Sequence, residues 1–132
     1  MYLGEKILAI IPARKNSKGL PGKNIKNFLG EPLVSHSIHH AKGSAFIDDI
    51  LVTSDCEEVI SIAIDEGVDH VKRPERLATD TSHTPDAIFH AIDHIKQLKN
   101  KNYNLIVMLQ PTSPLRTSLD IDSSILMLSN RE

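Results

Sequence analysis

Aromatic side chains are scarce in this 132-residue sequence, which has no tryptophan, two tyrosines and three phenylalanines. Stacking of bases on aromatic rings is a main source of affinity for single-stranded nucleic acids, and few rings are available for it here. The formal net charge is −2, whereas nucleic-acid-binding domains are usually strongly basic. Both observations argue against a general nucleic-acid-binding protein.

Cysteine and long apolar runs are also scarce. Cys56 is the single cysteine, so no disulfide can form within the chain and a reducing compartment is expected. The apolar run near the amino terminus extends only from Ile7 to Ile11, which is too short for the core of a signal peptide or for a membrane span. We therefore expect a cytoplasmic protein without a membrane segment.

Apolar runs alternate with helical patterns along the chain. With 40% hydrophobic residues, 132 residues can bury one core, so we predict a single domain over 1–132. Alternating strands and helices at this spacing predict an α/β fold, a Rossmann-like three-layer α/β/α arrangement with a mainly parallel sheet. The predicted strands are 7–12, 50–53, 68–71 and 105–109, and the predicted helices are 32–42, 56–66, 85–98 and 118–128.

The segment between Ile7 and Gly30 carries five cations and no carboxylate. Because the segment follows a predicted buried strand, its charges gather where a parallel sheet presents its binding edge. Gly19 and Gly22 allow the backbone to approach a ligand closely, and cations on one loop can hold several phosphate oxygens. The pattern indicates a polyphosphate site, with a solvated basic surface loop as the alternative. The cations are Arg14, Lys15, Lys18, Lys23 and Lys26.

This basic loop matches neither standard phosphate-binding motif, since GxGxxG is absent and Gly22-Lys23 is followed by Asn24 rather than by serine or threonine. Dinucleotide binding and P-loop NTP hydrolysis are therefore disfavoured. In a parallel sheet ligands bind beyond the carboxyl ends of the strands, so functional residues are expected in the segments that follow them. Those segments are 13–24, 54–55, 73–85 and 110–116.

Four separated blocks carry a resemblance to a known family, namely IPARKNSKGLPGKNIKNFLGEPLVSHSI, ILVTSD, KRPERLATDTSHTPDAI and LQPTSPLRT. In this order and at these intervals they resemble the N-terminal part of the N-acylneuraminate cytidylyltransferases, which make CMP-sialic acid from CTP. The resemblance covers about residues 6 to 128. It implies a fold of the nucleotide-diphospho-sugar transferase type, with CTP and a 2-keto sugar acid as substrates. Sister enzymes that activate legionaminic, pseudaminic and 3-deoxy-manno-octulosonic acids share the loops, so these acids stay open as alternatives.

The resemblance also implies roles for individual residues. It implies catalytic roles for Arg14, Lys18 and Lys23. Attack on the α-phosphorus of CTP develops negative charge, which fixed cations stabilise. The implied binding residues are Arg14, Ser17, Lys18 and Lys23 for the triphosphate, Asn24 and Thr84 for the ribose, Arg73 and Ser82 for the cytosine, and Gln110 for the acceptor sugar.

Several of these polar residues have a simpler interpretation when the resemblance is set aside. Arg73 would be a surface residue before a turn, and Gln110 would end a strand. Asp55 follows a predicted strand at the same edge, where it either caps the next helix or takes part in catalysis. His90 and His94 have a spacing that can bind a metal, but no third ligand is apparent, so a half-exposed helix face is favoured.

Members of the family continue beyond the part that this sequence resembles. There the family has a segment that builds a homodimer and a carboxylate pair that binds Mg²⁺. We therefore expect the chain to be the truncated N-terminal part of a longer, homodimeric enzyme, with Mg²⁺ as the cofactor and without protein ligands for it here. A catalytically silent nucleotide-binding module is the alternative hypothesis. A flavodoxin-like or receiver-like signalling domain is disfavoured by the blocks around Arg73 and Gln110.

Overall fold

A computed structural model of the chain describes residues 6–13, 16–17, 20–21, 27–28, 30–73 and 84–109. Within these ranges a four-stranded sheet, two short antiparallel pairs and three helices are formed. In chain order the elements are β1 (Ile7–Ala13), β2 (Asn16–Ser17), β3 (Leu20–Pro21), β4 (Asn27–Phe28), β5 (Glu31–Pro32), α1 (Leu33–Lys42), β6 (Asp49–Ser54), α2 (Glu57–Glu66), β7 (Asp69–Lys72), α3 (Thr84–Lys99) and β8 (Leu105–Met108).

The main sheet has the strand order β7-β6-β1-β8, and every pair of neighbouring strands in it is parallel. Each parallel connection between these strands needs a crossover, and the helices α1, α2 and α3 lie in those crossovers. The prediction of an α/β fold with a mainly parallel sheet is therefore confirmed.

Strand β1 is the buried centre of the sheet. All seven of its residues are buried, as expected for a parallel strand that is covered on both faces. Pro12 lacks an N–H, which would normally exclude it from a central strand. The last described register pair between β1 and β8 is Ile10 with Met108, so Pro12 lies two residues beyond the described part of that pairing.

The helices cover both faces of the sheet and divide the core in two. Ile7, Ala9 and Ile11 pack in one cluster with residues of α1 and α2. Leu8 and Ile10 point to the opposite face and pack in a second cluster with residues of α3. The alternation along β1 follows from the two-residue period of a strand, and it confirms the three-layer arrangement.

Helix α2 has sequence signals at both ends. Glu57 and Glu58 stand in its first turn, where carboxylates interact favourably with the helix dipole. Gly67 follows its last residue with φ 73°, in the left-handed region that ends many helices. Its N–H donates to the carbonyl of Ile64 at 3.0 Å, which satisfies one carbonyl of the last turn.

Substitution of Gly67 by alanine is expected to lower the free energy of unfolding by about 1 kcal/mol, because an L-residue is strained at positive φ. No atom lies within 4 Å of the position of an added Cβ, so the expected loss comes from the backbone alone. Urea denaturation measures it. Gly43→Ala is the matched control, since Gly43 ends α1 at φ −78° and should tolerate alanine. Equal losses at the two positions would contradict this explanation.

The structure differs from the sequence prediction in a few details. Helix α1 begins one residue later than predicted, because Pro32 has the non-helical ψ of 148°. The two antiparallel pairs, β2 with β3 and β4 with β5, were not predicted, since strands of two residues leave no periodic pattern. The predicted helix 118–128 lies outside the described residues, and the single-domain assignment stays a prediction. No described helix is both long and apolar enough to cross a membrane.

Candidate functional site

The carboxyl ends of the parallel strands meet at one edge of the sheet, which is where α/β proteins bind ligands. Ala13 and Ser54 are register partners at the ends of β1 and β6, and Ser54 and Lys72 are partners at the ends of β6 and β7. The basic loop follows Ala13 in the sequence, and Arg73 follows Lys72. Two segments predicted to contact the nucleotide therefore leave the same edge of the sheet, from β1 and β7, with β6 between them.

Ser54 connects these strand ends through hydrogen bonds. Its hydroxyl donates to the carbonyl of Ala13 and accepts the N–H of Cys56 at 3.0 Å. Its backbone carbonyl accepts the N–H of Arg73 at 2.7 Å. The Ser54 side chain is fully buried, so water does not compete for these contacts. Ser54 thus holds the end of β1, the start of α2 and the residue after β7 in one arrangement.

Arg73 is the predicted site residue that the structure describes most fully. Only 4% of its surface is exposed, so the interpretation of Arg73 as a surface residue before a turn is wrong. Arginine keeps its charge at any physiological pH, and a buried guanidinium therefore places a fixed positive charge at this edge of the sheet. Its five N–H groups suit recognition of an acceptor-rich ligand.

The other predicted site residues are described less completely. Ser17 lies in β2, where it pairs with Leu20 of β3, and Thr84 is the first residue of α3. Leu109, which precedes Gln110, is buried and donates its N–H to the carbonyl of Ile10 at 2.9 Å. The remaining residues lie outside the described ranges, and their roles stay predictions: Arg14, Lys18, Lys23, Asn24, Ser82 and Gln110.

The start of α2 also lies at this edge, next to Ser54. Cys56 is the N-cap residue and is 4% exposed, and its Sγ lies 3.6 Å from Oε2 of Glu58. Two carboxylates in the first turn already face the positive end of this helix. We therefore do not expect α2 to hold an anionic ligand, which leaves that task to the basic loop.

Metal ligands are not grouped in the part of the chain that the structure describes. None of the described His, Cys, Asp and Glu side chains forms a group of three or more that could hold a metal ion. His90 and His94 are half-buried on α3, in agreement with the interpretation of a partly exposed helix face. The expected Mg²⁺ therefore has no ligand set among the described residues, and the cofactor stays a prediction.

The amino edge of the sheet carries a different set of charges. Asp49, at the start of β6, accepts a hydrogen bond from the hydroxyl of Tyr103 at 2.6 Å and contacts Lys101 at 3.2 Å and Lys99 at 3.4 Å. Lys99 also lies 3.1 Å from Asp69 at the start of β7. A groove of about 360 Å³ opens at this edge, and among the side chains that line it Lys99 pairs with both Asp49 and Asp69. The network is structural and lies opposite the predicted nucleotide edge.

The ionisation of Asp49 and Tyr103 reflects this network. Burial alone would raise the pKa of Asp49, but the hydrogen bonds from Tyr103 and Lys101 and the charges of Lys99 and Lys101 hold it below the ordinary value of 3.8. Burial and the neighbouring Asp49 carboxylate both raise the pKa of Tyr103. The tyrosine hydroxyl therefore stays protonated and keeps donating to Asp49.

A third charged group joins α1 to α2. Glu66 Oε2 lies 3.0 Å from Nε2 of His39 and 3.1 Å from Nζ of Lys42, and Nδ1 of His39 lies 3.3 Å from Glu31. The hydrogen bonds from His39 and then Lys42 hold the pKa of Glu66 below its ordinary value of 4.5. These contacts hold α1 and α2 together on the face of the sheet that they cover.

The comparison with protein families decides the membership of this chain. A family model described as Cytidylyltransferase matches residues 8–132. The chain belongs to the cytidylyltransferase family. The match includes the basic loop, Ser54 and Arg73, which are the segments that leave the carboxyl edge of the sheet.

Curated relatives within the family agree with this membership. The chain is 38% identical over 127 residues to the N-acylneuraminate cytidylyltransferase of Escherichia coli, a match that covers 96% of this chain and 29% of the relative. It is 40% identical over 114 residues to the CMP-N,N'-diacetyllegionaminic acid synthase of Legionella pneumophila, covering 84% of this chain and 48% of the relative. The chain therefore spans half or less of the length of these relatives.

The chain also shares its fold with solved structures. The structure of CMP:2-keto-3-deoxy-manno-octonic acid synthetase complexed with CTP matches with a TM-score of 0.75 and 20% identity, covering 96% of this chain and 48% of that one. At this identity the match concerns the fold. It confirms the predicted nucleotidyltransferase-type α/β arrangement.

Ser54 is the residue of this edge to which the sequence prediction assigned no role. Its segment, 54–55, was expected to face the ligand edge because it follows a strand. A serine two residues before a helix N-cap is a local signal for a side chain that bonds the backbone ahead of it. The bond to Ala13 has no such signal, because it depends on which strand lies beside β6.

Proposed function

We propose that the chain is the nucleotide-binding part of a cytidylyltransferase that activates a 2-keto sugar acid, an N-acylneuraminate, with CTP. The products are the CMP-sugar and pyrophosphate. Family membership over residues 8–132 and the identity to sialic acid and legionaminic acid enzymes support the proposal. Legionaminate and pseudaminate are the alternative acceptors of the same class.

The burial of Arg73 at the carboxyl edge, with only β6 between its strand and the strand that enters the basic loop, is the observation that carries this proposal. A nucleotide has a polyanionic end and a base with hydrogen-bond acceptors, so it suits a site with phosphate-binding cations after one strand and a guanidinium after another strand at the same edge. In the proposed complex Arg73 and the backbone near Ser82 contact cytosine, and Asn24 and Thr84 contact the ribose.

In the proposed reaction, the anomeric hydroxyl oxygen of the sugar acid attacks the α-phosphorus of CTP. The new bond joins that oxygen to the α-phosphorus, the bond to the bridging oxygen of pyrophosphate breaks, and the hydroxyl proton is released. Arg14, Lys18 and Lys23 stabilise the charge that develops on the phosphate oxygens, with Ser17 donating from the same loop. Gln110 contacts the acceptor sugar.

Further properties of the whole protein follow from the same proposal. We propose Mg²⁺ as the metal partner of the triphosphate, which such cations bind through phosphate oxygens. We also propose a cytoplasmic location, where CTP is available and a single thiol such as Cys56 stays reduced, and a homodimer for the full-length enzyme.

A nucleotide competition experiment tests the function. CTP is expected to bind clearly more tightly than ATP or GTP, because a site built for the hydrogen bonds of one base leaves buried polar groups unpaired with another. Lys23→Ala is expected to weaken CTP binding by about 10- to 150-fold, since a hydrogen bond to a charged phosphate is lost. Isothermal titration calorimetry measures both effects.

Lys96→Ala is the matched control, because Lys96 is exposed in the last turn of α3 and belongs to no predicted site. CTP affinity should not change in that variant. Equal binding of all three nucleotides would contradict the proposed function and favour a phosphate-binding module that does not recognise the base. Unchanged CTP affinity in a folded Lys23→Ala variant would remove Lys23 from the site.

A further inference from the structure

Ser54 contacts two parts of the proposed nucleotide site, one through its side chain and the other through its backbone carbonyl. Ala13, which immediately precedes the basic loop, receives the hydrogen bond of the Ser54 hydroxyl. Arg73, on the other side, donates its backbone N–H to the Ser54 carbonyl at 2.7 Å. The ends of β1 and β7, which are not neighbours in the sheet, are thus related through a single residue of β6.

The chemistry of a hydroxyl suits this position. A serine hydroxyl can donate one hydrogen bond and accept others, and here it donates to Ala13 while it accepts the N–H of Cys56 at 3.0 Å. Ser54 is fully buried, and Ala13 and Cys56 are also buried. If the hydroxyl were removed, a buried carbonyl and a buried N–H would lose this partner. The end of β1 could then shift relative to the end of β6, which holds Arg73 through the Ser54 carbonyl.

We propose that Ser54 is a positioning residue of the nucleotide site, which fixes the entry to the basic loop relative to Arg73 so that one CTP molecule engages both. The inference rests on the proposed function. It predicts a specific defect, because a ligand that spans both regions depends on their relative placement, whereas a ligand that uses the basic loop alone does not. CTP is the spanning ligand, and inorganic tripolyphosphate is the probe for the loop alone.

The test compares Ser54→Ala with the wild-type chain in calorimetric titrations of CTP and of tripolyphosphate. CTP affinity is expected to fall by about tenfold, the effect of losing the partner of a buried polar group. Tripolyphosphate affinity is expected to change less than about twofold, because the cations of the loop are unaltered. Ser54→Thr keeps a hydroxyl at this position and is expected to restore most of the CTP affinity.

Ser37→Ala is the matched control, since Ser37 is a buried serine in the middle of α1 and belongs to no predicted site. Both affinities should stay unchanged in this variant, and urea denaturation verifies that every variant is folded. A merely structural role of Ser54 would shift the denaturation midpoint without separating the two ligands.

Several results would overturn the inference. Equal losses of CTP and tripolyphosphate affinity in Ser54→Ala, or no loss of either, would contradict the positioning role of Ser54. The proposed function would stand in that case, provided that the wild-type chain prefers CTP. A wild-type chain that binds CTP but not tripolyphosphate would also refute it, because the basic loop would then not bind phosphate by itself. Failure of the wild-type chain to prefer CTP over ATP would overturn the proposed function, and the role of Ser54 with it.

Discussion

Replacing Leu51 with alanine is expected to lower the free energy of unfolding by about 3–5 kcal/mol. Leu51 is fully buried in β6 and packs with Leu8, Ile10 and Ile95 between the sheet and α3. Because β6 has strands on both sides, the surrounding backbone cannot collapse into the cavity that the smaller side chain leaves. A loss of this size is a large part of the stability of a small domain. Urea denaturation followed by circular dichroism measures it.

Leu98→Ala is the control for this experiment, because Leu98 lies on α3 with 59% of its surface exposed. Its loss of unfolding free energy should stay within about 0.5 kcal/mol. Leu51→Val removes less volume and should cost about 1 kcal/mol, which keeps the test available if the alanine variant does not fold. Similar losses for alanine at positions 51 and 98 would contradict the assignment of Leu51 to the core.

Replacing Asp49 with alanine is the second substitution with a large expected effect. It should lower the free energy of unfolding by about 2–3 kcal/mol at neutral pH, because hydrogen bonds to a charged group are lost. The side chain of Asp49 is 9% exposed and receives contacts from Tyr103, Lys101 and Lys99. Without the carboxylate, the Tyr103 hydroxyl loses a part-buried acceptor and the connection between β6 and the segment before β8 is weakened. Urea denaturation measures the loss.

The same loss should depend on pH in a defined direction. The pKa of Asp49 is depressed in the folded state, so its contribution to stability is present above the ordinary value of 3.8 and is lost as the pH falls through the folded pKa. The difference in unfolding free energy between the wild-type chain and Asp49→Ala should therefore be full at neutral pH and shrink under acidic conditions below about pH 3.8.

Glu57→Ala is the control for Asp49→Ala, because it removes an ion pair that is exposed to solvent. Glu57 is 85% exposed and pairs with Lys72, which is 63% exposed, at 3.3 Å. An ion pair of this kind is screened by water and salt, and its removal should cost less than about 0.5 kcal/mol. A loss as large as that of Asp49→Ala would show that burial is not what makes the Asp49 network strong.

Much of the functional edge was predictable from the sequence, because the signals for it are local. Buried parallel strands appear as apolar runs, and the segments after them were assigned to the ligand edge from their order alone. The family could also be recognised, since the blocks around the basic loop, Ser54, Arg73 and Gln110 are short strings with fixed order. The later match of the Cytidylyltransferase family over residues 8–132 confirms that resemblance.

The burial of Arg73 could not be predicted from its neighbours in the chain. An arginine before a proline is most often exposed, and its local sequence has no signal for the layer that covers it. Burial is a property of the packed layers, which are formed by segments far apart in sequence. Composition and periodicity therefore assigned Arg73 to the surface, while the resemblance assigned it to the site.

The sequence by itself determined the four strands, the three described helices, their α/β order and the family, because hydrophobic period, helix-end residues and motif strings are carried by adjacent residues. Only the tertiary structure decided that Ser54 binds Ala13, 41 residues away, and that Asp49 binds Tyr103, 54 residues away. Such contacts depend on which strands become neighbours in the sheet. Strand order arises from the packing of the whole core, so no local pattern specifies it.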